Sequence, residues 1–259
     1  MSDTLQVVLL GIIEGITEFL PVSSTGHLLI AEHWLGARSE LFTVAIQAGA
    51  ILAVVGVFAQ RLLQLAHLGA AANRDYVLKL AFATGITLVG GFIVKKLGFT
   101  LPETVRPIAF ALIIGGIAIL VVERIVADWP PSAAVTWKVA FWVGTLQILA
   151  AVSPGTSRSA ATIFAAMLAG LTLRPAATEF AFLVGVPTMF AATGYELLKA
   201  HDSGAPPEDW GALAIGFVVS AIVAFIAVRW LLRYIQTHRF TAFAWYRIIV
   251  GTVLLASGI

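Results

Sequence analysis

Along the chain, apolar stretches long enough to cross a bilayer alternate with short polar or Pro/Gly-rich breaks. Uninterrupted stretches lie near 41–60, 76–94, 106–126, 176–198, 211–233 and 241–258. Each approaches the ~20 apolar residues that a transmembrane helix needs. The breaks hold Arg61 to Asp75, Lys95-Lys96 to Arg106, Glu123 to Lys138, Lys199 to Asp209, and Arg229 to Arg239. Trp129, Trp137, Trp210 and Trp230 fall at or near these ends, where tryptophan anchors helices at the membrane interface. The pattern predicts about six full spans.

Two regions depart from it. Residues 4–35 form an apolar run broken by Pro21-Val22-Ser23-Ser24-Thr25-Gly26-His27, and residues 138–172 form another broken by Ser153-Pro154-Gly155-Thr156-Ser157-Arg158-Ser159. Each half-run is too short to span, and each break is too polar to stay helical. Non-helical backbone at membrane depth is tolerated only where it is buried in protein or lines a wet cavity. Both regions therefore read as re-entrant helical hairpins. Pro21 and Pro154 lie 133 positions apart, and Glu40 and Glu179, each opening an apolar span, lie 139 apart. Half the chain length is about the same distance, so one membrane domain over 1–259 is expected, built of repeat halves 1–130 and 131–259. Interrupted segments at matching places in two halves point to a site at the repeat interface, and an inverted-topology repeat brings the two hairpins face to face. The competing explanation is chance similarity of two Pro/Ser-rich loops. Arg229, Arg233 and Arg239 place their loop on the cytoplasmic side, while the acidic 199–209 loop suits the outer side. Counting onward puts the C-terminus outside and leaves the Lys95-Lys96 loop outside too, against the rule.

Composition settles the class. The chain of 259 residues is 59% hydrophobic and 12% charged, about half the charged fraction of a soluble domain, with a mean hydropathy of +0.95. A soluble enzyme, a disordered chain and a nucleic-acid binder are excluded; the fold class is an all-α polytopic integral membrane protein. Net charge is +2, too small to call for a polyanionic partner. With no cysteine, disulfides, thiolate metal sites and cysteine nucleophiles drop out together. The N-terminus lacks Lys or Arg before its apolar run and makes a poor signal peptide.

The candidate chemistry sits in the two hairpins. Glu14 and Glu18 are spaced i,i+4, on one helical face of an otherwise apolar segment. A charge in hydrocarbon costs at least ~2.5–3.5 kcal/mol, so two on one face require a cavity, a cation or a shared proton. The plainer reading is an amphipathic surface helix, but only Thr17 widens the polar stripe. Ser23, Ser24 and Thr25 stand where a helix running to Trp34 begins. One hydroxyl would serve as its N-cap; three exceed that need. His27, three positions after Ser24, is placed to take the Ser24 proton or to protonate a leaving group. In the second break, Ser157, Arg158 and Ser159 follow Pro154-Gly155 at the start of another apolar helix. A helix N-terminus there is an anion site, and Arg158 adds a planar fork suited to phosphate oxygens. A structural ion pair of Arg158 with Glu14 or Glu18 is the alternative. Catalytic candidates are thus Ser24, His27, Glu18, Glu14 and Arg158. Phosphate-binding candidates are Ser23, Thr25, Gly155, Thr156, Ser157, Ser159 and Thr162. Two acids facing a phosphate site suit Mg²⁺ or Ca²⁺, with Glu14 and Glu18 as ligands.

The stretch from Glu14 through His27 resembles the first signature of the undecaprenyl-diphosphate phosphatases, the BacA-type bacitracin resistance proteins. Pro154 through Thr162 resembles their second signature, P-G-x-S-R-S-x-x-T. Weaker echoes are Ile46 to Val54, Glu179-Phe180 with Val186-Pro187, and Tyr246-Arg247. The resemblance covers almost the whole chain. It implies hydrolysis of undecaprenyl diphosphate to undecaprenyl phosphate and inorganic phosphate, recycling the carrier lipid for peptidoglycan in the bacterial inner membrane. It also implies bacitracin resistance, inverted repeats with two re-entrant hairpins, a site open to the periplasmic face, and dependence on a divalent cation. Ser24 helped by His27 is the implied nucleophile, with water activated by Glu18 as the competitor. Membrane lipids are the expected surroundings, and a homodimer is left open. The rival class is a transporter or flippase for an anionic lipid, since broken helices are also transporter architecture. Phosphate release separates the two.

Overall fold

The computed structural model describes residues 2–98, 104–202 and 209–257. The centres of the 95–106 and 199–209 connections, Glu208 among them, and the end of the last span at 258 lie outside these residues. The described chain forms eleven α-helices: α1 (Asp3–Thr17), α2 (Ser24–Leu35), α3 (Glu40–Val57), α4 (Ala59–Ala66), α5 (Ala71–Lys96), α6 (Val105–Ile125), α7 (Trp137–Val152), α8 (Arg158–Leu168), α9 (Arg174–Asp202), α10 (Trp210–Tyr234) and α11 (Thr241–Ser257). Five of them, α3, α5, α6, α9 and α10, are long and apolar enough to cross a membrane. The sixth expected span is α11, whose 17 residues sit at the lower limit for crossing. The protein is a multi-pass membrane protein. Its outward faces carry Phe92, Ile114, Ile222 and Val253, because lipid tails are as apolar as these side chains and nothing drives them inward.

The two broken regions are helix–break–helix units, α1–α2 and α7–α8. Their turns share one unusual geometry: Ser23 and Ser157 both have positive φ, 77° and 69°, a region that non-glycine residues rarely occupy. Each is also the N-cap of the helix that follows, its hydroxyl accepting from Gly26 N at 3.4 Å and Ala160 N at 3.3 Å.

Close helix approaches repeat in the same way. Gly11 of α1 lies against the Gly216 carbonyl and Val219 of α10, and Gly144 of α7 lies against the Ala83 carbonyl and Ile86 of α5. The partners are offset by 133 positions in every case (11 and 144, 83 and 216, 86 and 219). At the α6–α11 contact, Gly116 meets Ala244 and Ile248 while Gly251 meets Ala109 and Ile113, each pair offset by 135. Glycine is needed here because a Cβ on Gly144 would stand 2.6 Å from the Ala83 carbonyl oxygen. Such crossings, small residue against backbone, hold membrane helices where no hydrophobic drive exists. The equivalence also corrects one expectation. Glu40 opens α3 and matches Arg174 at the start of α9; Glu179 lies in the next turn and binds Arg61 instead, at 2.8 Å.

Each half contributes one hairpin and three longer helices. The two hairpins meet inside the fold, where Arg158 and Ser159 of the second bind Glu18 and Leu20 of the first. A bulky side chain at Gly144 tests the crossing: Gly144→Leu should cost about 1–3 kcal/mol, read as a lower unfolding midpoint in detergent. An unchanged midpoint would mean that α5 and α7 do not pack this closely.

Candidate active site

The two breaks are bound to each other. Ser159 Oγ in the second donates to the Leu20 carbonyl in the first at 3.0 Å. Arg158, the first residue of α8, reaches across and donates from Nη2 to Glu18 Oε1 at 3.0 Å. Its guanidinium lies over the Phe19 ring, 5.5 Å from the centroid. It passes against Gly185 of α9, where any Cβ would collide with Nη1. Ser24, the first residue of α2, donates its hydroxyl hydrogen to the other oxygen of Glu18, Oε2. Glu18 thus joins Ser24 and Arg158 although they come from opposite halves of the chain.

Glu14 lies one helical turn before Glu18, completely buried, and neither of its carboxylate oxygens has a hydrogen-bond partner among the described residues. A buried carboxylate without partners is expensive, and a second one lies a turn away. The pair asks for a cation or a proton. Hard divalent cations take carboxylate oxygens, so Glu14 and Glu18 are the residues that fit one, with further oxygens left to a phosphate ligand. Arg158 uses one nitrogen on Glu18; Nε and Nη1 meet no acceptor among the described residues and remain free for an anion.

His27 does not face Ser24 as its spacing suggested. Its Nδ1 lies 2.7 Å from the Ser23 carbonyl and its Nε2 lies 2.7 Å from the Tyr246 hydroxyl of α11, on which the ring also stacks. A carbonyl only accepts, so Nδ1 carries a hydrogen, and Nε2 shares a hydrogen bond with the Tyr246 hydroxyl. The side chain that accepts from Ser24 is Glu18.

The remaining candidates divide by what their side chains do. Ser23 and Ser157 are caps, and Ser159 and Thr162 donate to backbone carbonyls, Thr162 to Arg158 O at 2.9 Å. The hydroxyl hydrogens of Ser159 and Thr162 are used on backbone carbonyls, whereas Ser23, which accepts as a cap, keeps its own to donate. Gly155, with φ +86°, packs where a Cβ would stand 2.9 Å from Ala111. Thr156 offers its carbonyl to Arg247. Thr25 is exposed and lines a polar cavity of about 400 Å³ together with Glu32, Arg38, Gln47 and Lys199.

The family profile described as Bacitracin resistance protein BacA matches residues 7–253. The chain belongs to the BacA family. An undecaprenyl-diphosphatase of Rhizobium etli is 62% identical over 256 residues, 98% of this chain and 96% of the relative. One from Xanthomonas oryzae pv. oryzae is 56% identical over 257 residues, 98% of this chain and 97% of the relative. In this BacA-family chain, sequence reasoning gave no role to Arg247, Tyr246 or Gly185. An ionisable side chain inside an apolar span was the available signal for Arg247.

Arg247 is fully buried and donates to five backbone carbonyls: Pro21 in the first break, Gly155 and Thr156 in the second, and Ala111 and Leu112 of α6. An ammonium has three donors in no fixed plane, so Arg247→Lys cannot reproduce the array. It should lower stability by about 1–3 kcal/mol and Arg247→Met by more, both read by thermal unfolding in detergent. Wild-type stability in Arg247→Met would show that the guanidinium does not tie the breaks together.

Proposed function

We propose that this chain hydrolyses undecaprenyl diphosphate to undecaprenyl phosphate and inorganic phosphate, returning the lipid carrier to envelope synthesis and conferring bacitracin resistance. The observation that carries this reading is the Ser24–Glu18–Arg158 array beside an unpartnered Glu14. A transporter needs an anion site but has no use for a hydroxyl hydrogen-bonded to a carboxylate at its edge.

In the proposed reaction the diphosphate lies at the N-termini of α2 and α8, whose free N–H groups and dipoles favour anions. The free nitrogens of Arg158 hold its oxygens, while Phe19 and Gly185 fix the guanidinium plane. Ser24 Oγ attacks the terminal phosphorus as its proton passes to Glu18. The Oγ–P bond forms, the bond from phosphorus to the bridging oxygen breaks, and undecaprenyl phosphate leaves with that electron pair. Water then cleaves the phosphoserine, releasing inorganic phosphate and returning the hydrogen to Ser24. A divalent cation, Mg²⁺ or Ca²⁺, held by Glu14 and Glu18 would offset the carboxylate and phosphate charges and polarise the phosphoryl group. Direct attack by water with Glu18 as its base is the competing route, since the same carboxylate serves both.

In this reading the site faces the periplasmic side of the bacterial inner membrane. Arg61, Arg74, Lys79, Arg124, Lys138, Arg174, Arg229, Arg233 and Arg239 lie at or toward helix ends on one face; Arg38, Lys95, Lys96, Arg106 and Lys199 lie on the other. Nine against five supports the richer face as cytoplasmic, and the polar cavity at Thr25 opens toward the other.

Ser24→Ala should reduce phosphate release at least about 10³-fold with little change in substrate binding. Rapid quench of the wild type should trap a phosphoserine. A Ser24→Ala variant keeping a tenth of the activity would make water the nucleophile. Glu18→Gln should cost about 10²–10⁴-fold. Chelation should abolish turnover and added Mg²⁺ or Ca²⁺ restore it; full turnover in excess chelator would remove the cation from the scheme.

A further inference from the structure

An apolar groove of about 880 Å³ runs between α6, α7 and α8, beside the site rather than within it. Its volume falls within the ordinary range for ligand pockets. Apart from the indole of Trp142, only Lys138, Ser153 and Thr156 interrupt its apolar lining. Ser153 and Thr156 belong to the second break, and Thr156 is two residues from Arg158. Lys138 and Leu168 mark the other end, at the face from which this hairpin enters. The groove therefore starts at the second break, next along the chain to Arg158, and follows α8 for its 11 residues, about 16 Å at the helical rise.

Its existence depends on a departure from the internal symmetry. At the offset of 135 that relates α6 to α11, the mate of Ala111 is Tyr246. At the offset of 134 that relates Ser157 to Ser23, the mate of Ala161 is His27. Between α2 and α11, Tyr246 stacks on His27 at 5.6 Å, with only 8° between the rings. Between α8 and α6, two alanines stand in their places, and both line the groove. The opening lies where those rings would be, at the end next to Arg158.

We infer that this groove binds the polyprenyl chain of the diphosphate whose head group lies at Arg158, and that Ala111 and Ala161 are what admits it. The inference rests on the reading of the site as a lipid diphosphatase and adds where the lipid lies. A phospholipid acyl chain would equally suit the walls, with its head group at Lys138. It would leave unexplained why the groove opens at the break, where a phospholipid has nothing to bind.

Ala118 and Leu168 line the groove away from the break, and both are exposed, so bulk there does not disturb packing. With full-length protein in detergent, Ala118→Phe and Leu168→Trp should raise KM for undecaprenyl diphosphate about tenfold or more, leaving kcat within about twofold. Neither should alter KM or kcat for geranyl diphosphate, whose chain stops short of both positions. Equal effects on the two substrates, or no effect on the long one, would overturn the assignment. A prenyl diphosphate ended by a benzophenone gives a readout independent of turnover. It should crosslink within 105–125 and 158–168 and be displaced by undecaprenyl phosphate but not by phosphatidylglycerol. Displacement by both alike, or crosslinks elsewhere, would make the groove a membrane-lipid site. If the wild type released phosphate from neither diphosphate while crosslinking held, the lipid site would stand and the hydrolytic reading would fall.

Discussion

One buried cation shapes everything around it. Arg247 lies fully buried with no carboxylate partner among the described residues, and the carbonyls that satisfy it belong to the two breaks and to α6. A charge at that depth is tolerated only if every donor finds an oxygen, and the breaks supply oxygens because their backbone has left the helix. The dependence runs both ways. Non-helical carbonyls at membrane depth need donors as much as the guanidinium needs acceptors. The strained turns at Ser23 and Ser157 persist because Arg247 and the Ser159–Leu20 bond over-determine them. Once both turns are fixed, the first residues of α2 and α8, Ser24 and Arg158, are brought to opposite oxygens of Glu18.

The repeat supplies a frame on which the halves have diverged chemically. Glu14, Glu18, Ser24 and His27 come from the first half; Arg158, Tyr246 and Arg247 come from the second. Glu14 is matched at the offset of 133 by Gln147, which is also buried but donates to Thr188 at 2.7 Å. The acids thus occur once, on α1, and the free cationic fork once, on α8. A symmetric pair of hairpins would have set like charges against each other. Divergence gives an ion pair across the interface and leaves the second carboxyl, Glu14, without a partner among the described residues.

Much of this was legible in the sequence, for identifiable reasons. The two breaks stood out because Pro, Gly and Ser in an apolar run cannot be paid for in lipid, and both appear where expected. The Glu14–Glu18 stripe followed from helical spacing alone. The partner of Ser24 was not legible. Spacing places His27 on the same turn, but the choice between Glu18 and His27 is made by α11, some 220 residues later in the chain, which contributes the Tyr246 hydroxyl 2.7 Å from His27 Nε2. Arg247 was equally hidden: five scattered carbonyls leave no pattern in a sequence. Glu40 and Glu179 misled because a shared local context, an acid followed by phenylalanine, is weaker than the glycine contacts that set the true register.

The Arg158–Glu18 pair looked at first like an alternative to an anion site, and the geometry removes the conflict. A lysine bound to Glu18 would put its whole charge there. The guanidinium spends one nitrogen on the carboxylate and keeps two others in a rigid plane. Phe19 stacks against one side of that plane and the bare backbone of Gly185 leaves room beside it, so the plane is set before any ligand arrives. Preorganised donors cost no rearrangement at the moment charge develops. The same pair holds Glu18 aimed at Ser24, while both oxygens of Glu14 lack such a partner among the described residues. An ion pair, an oriented acceptor for the serine hydrogen and two guanidinium nitrogens without an acceptor among the described residues thus meet at one arginine held at a helix N-terminus.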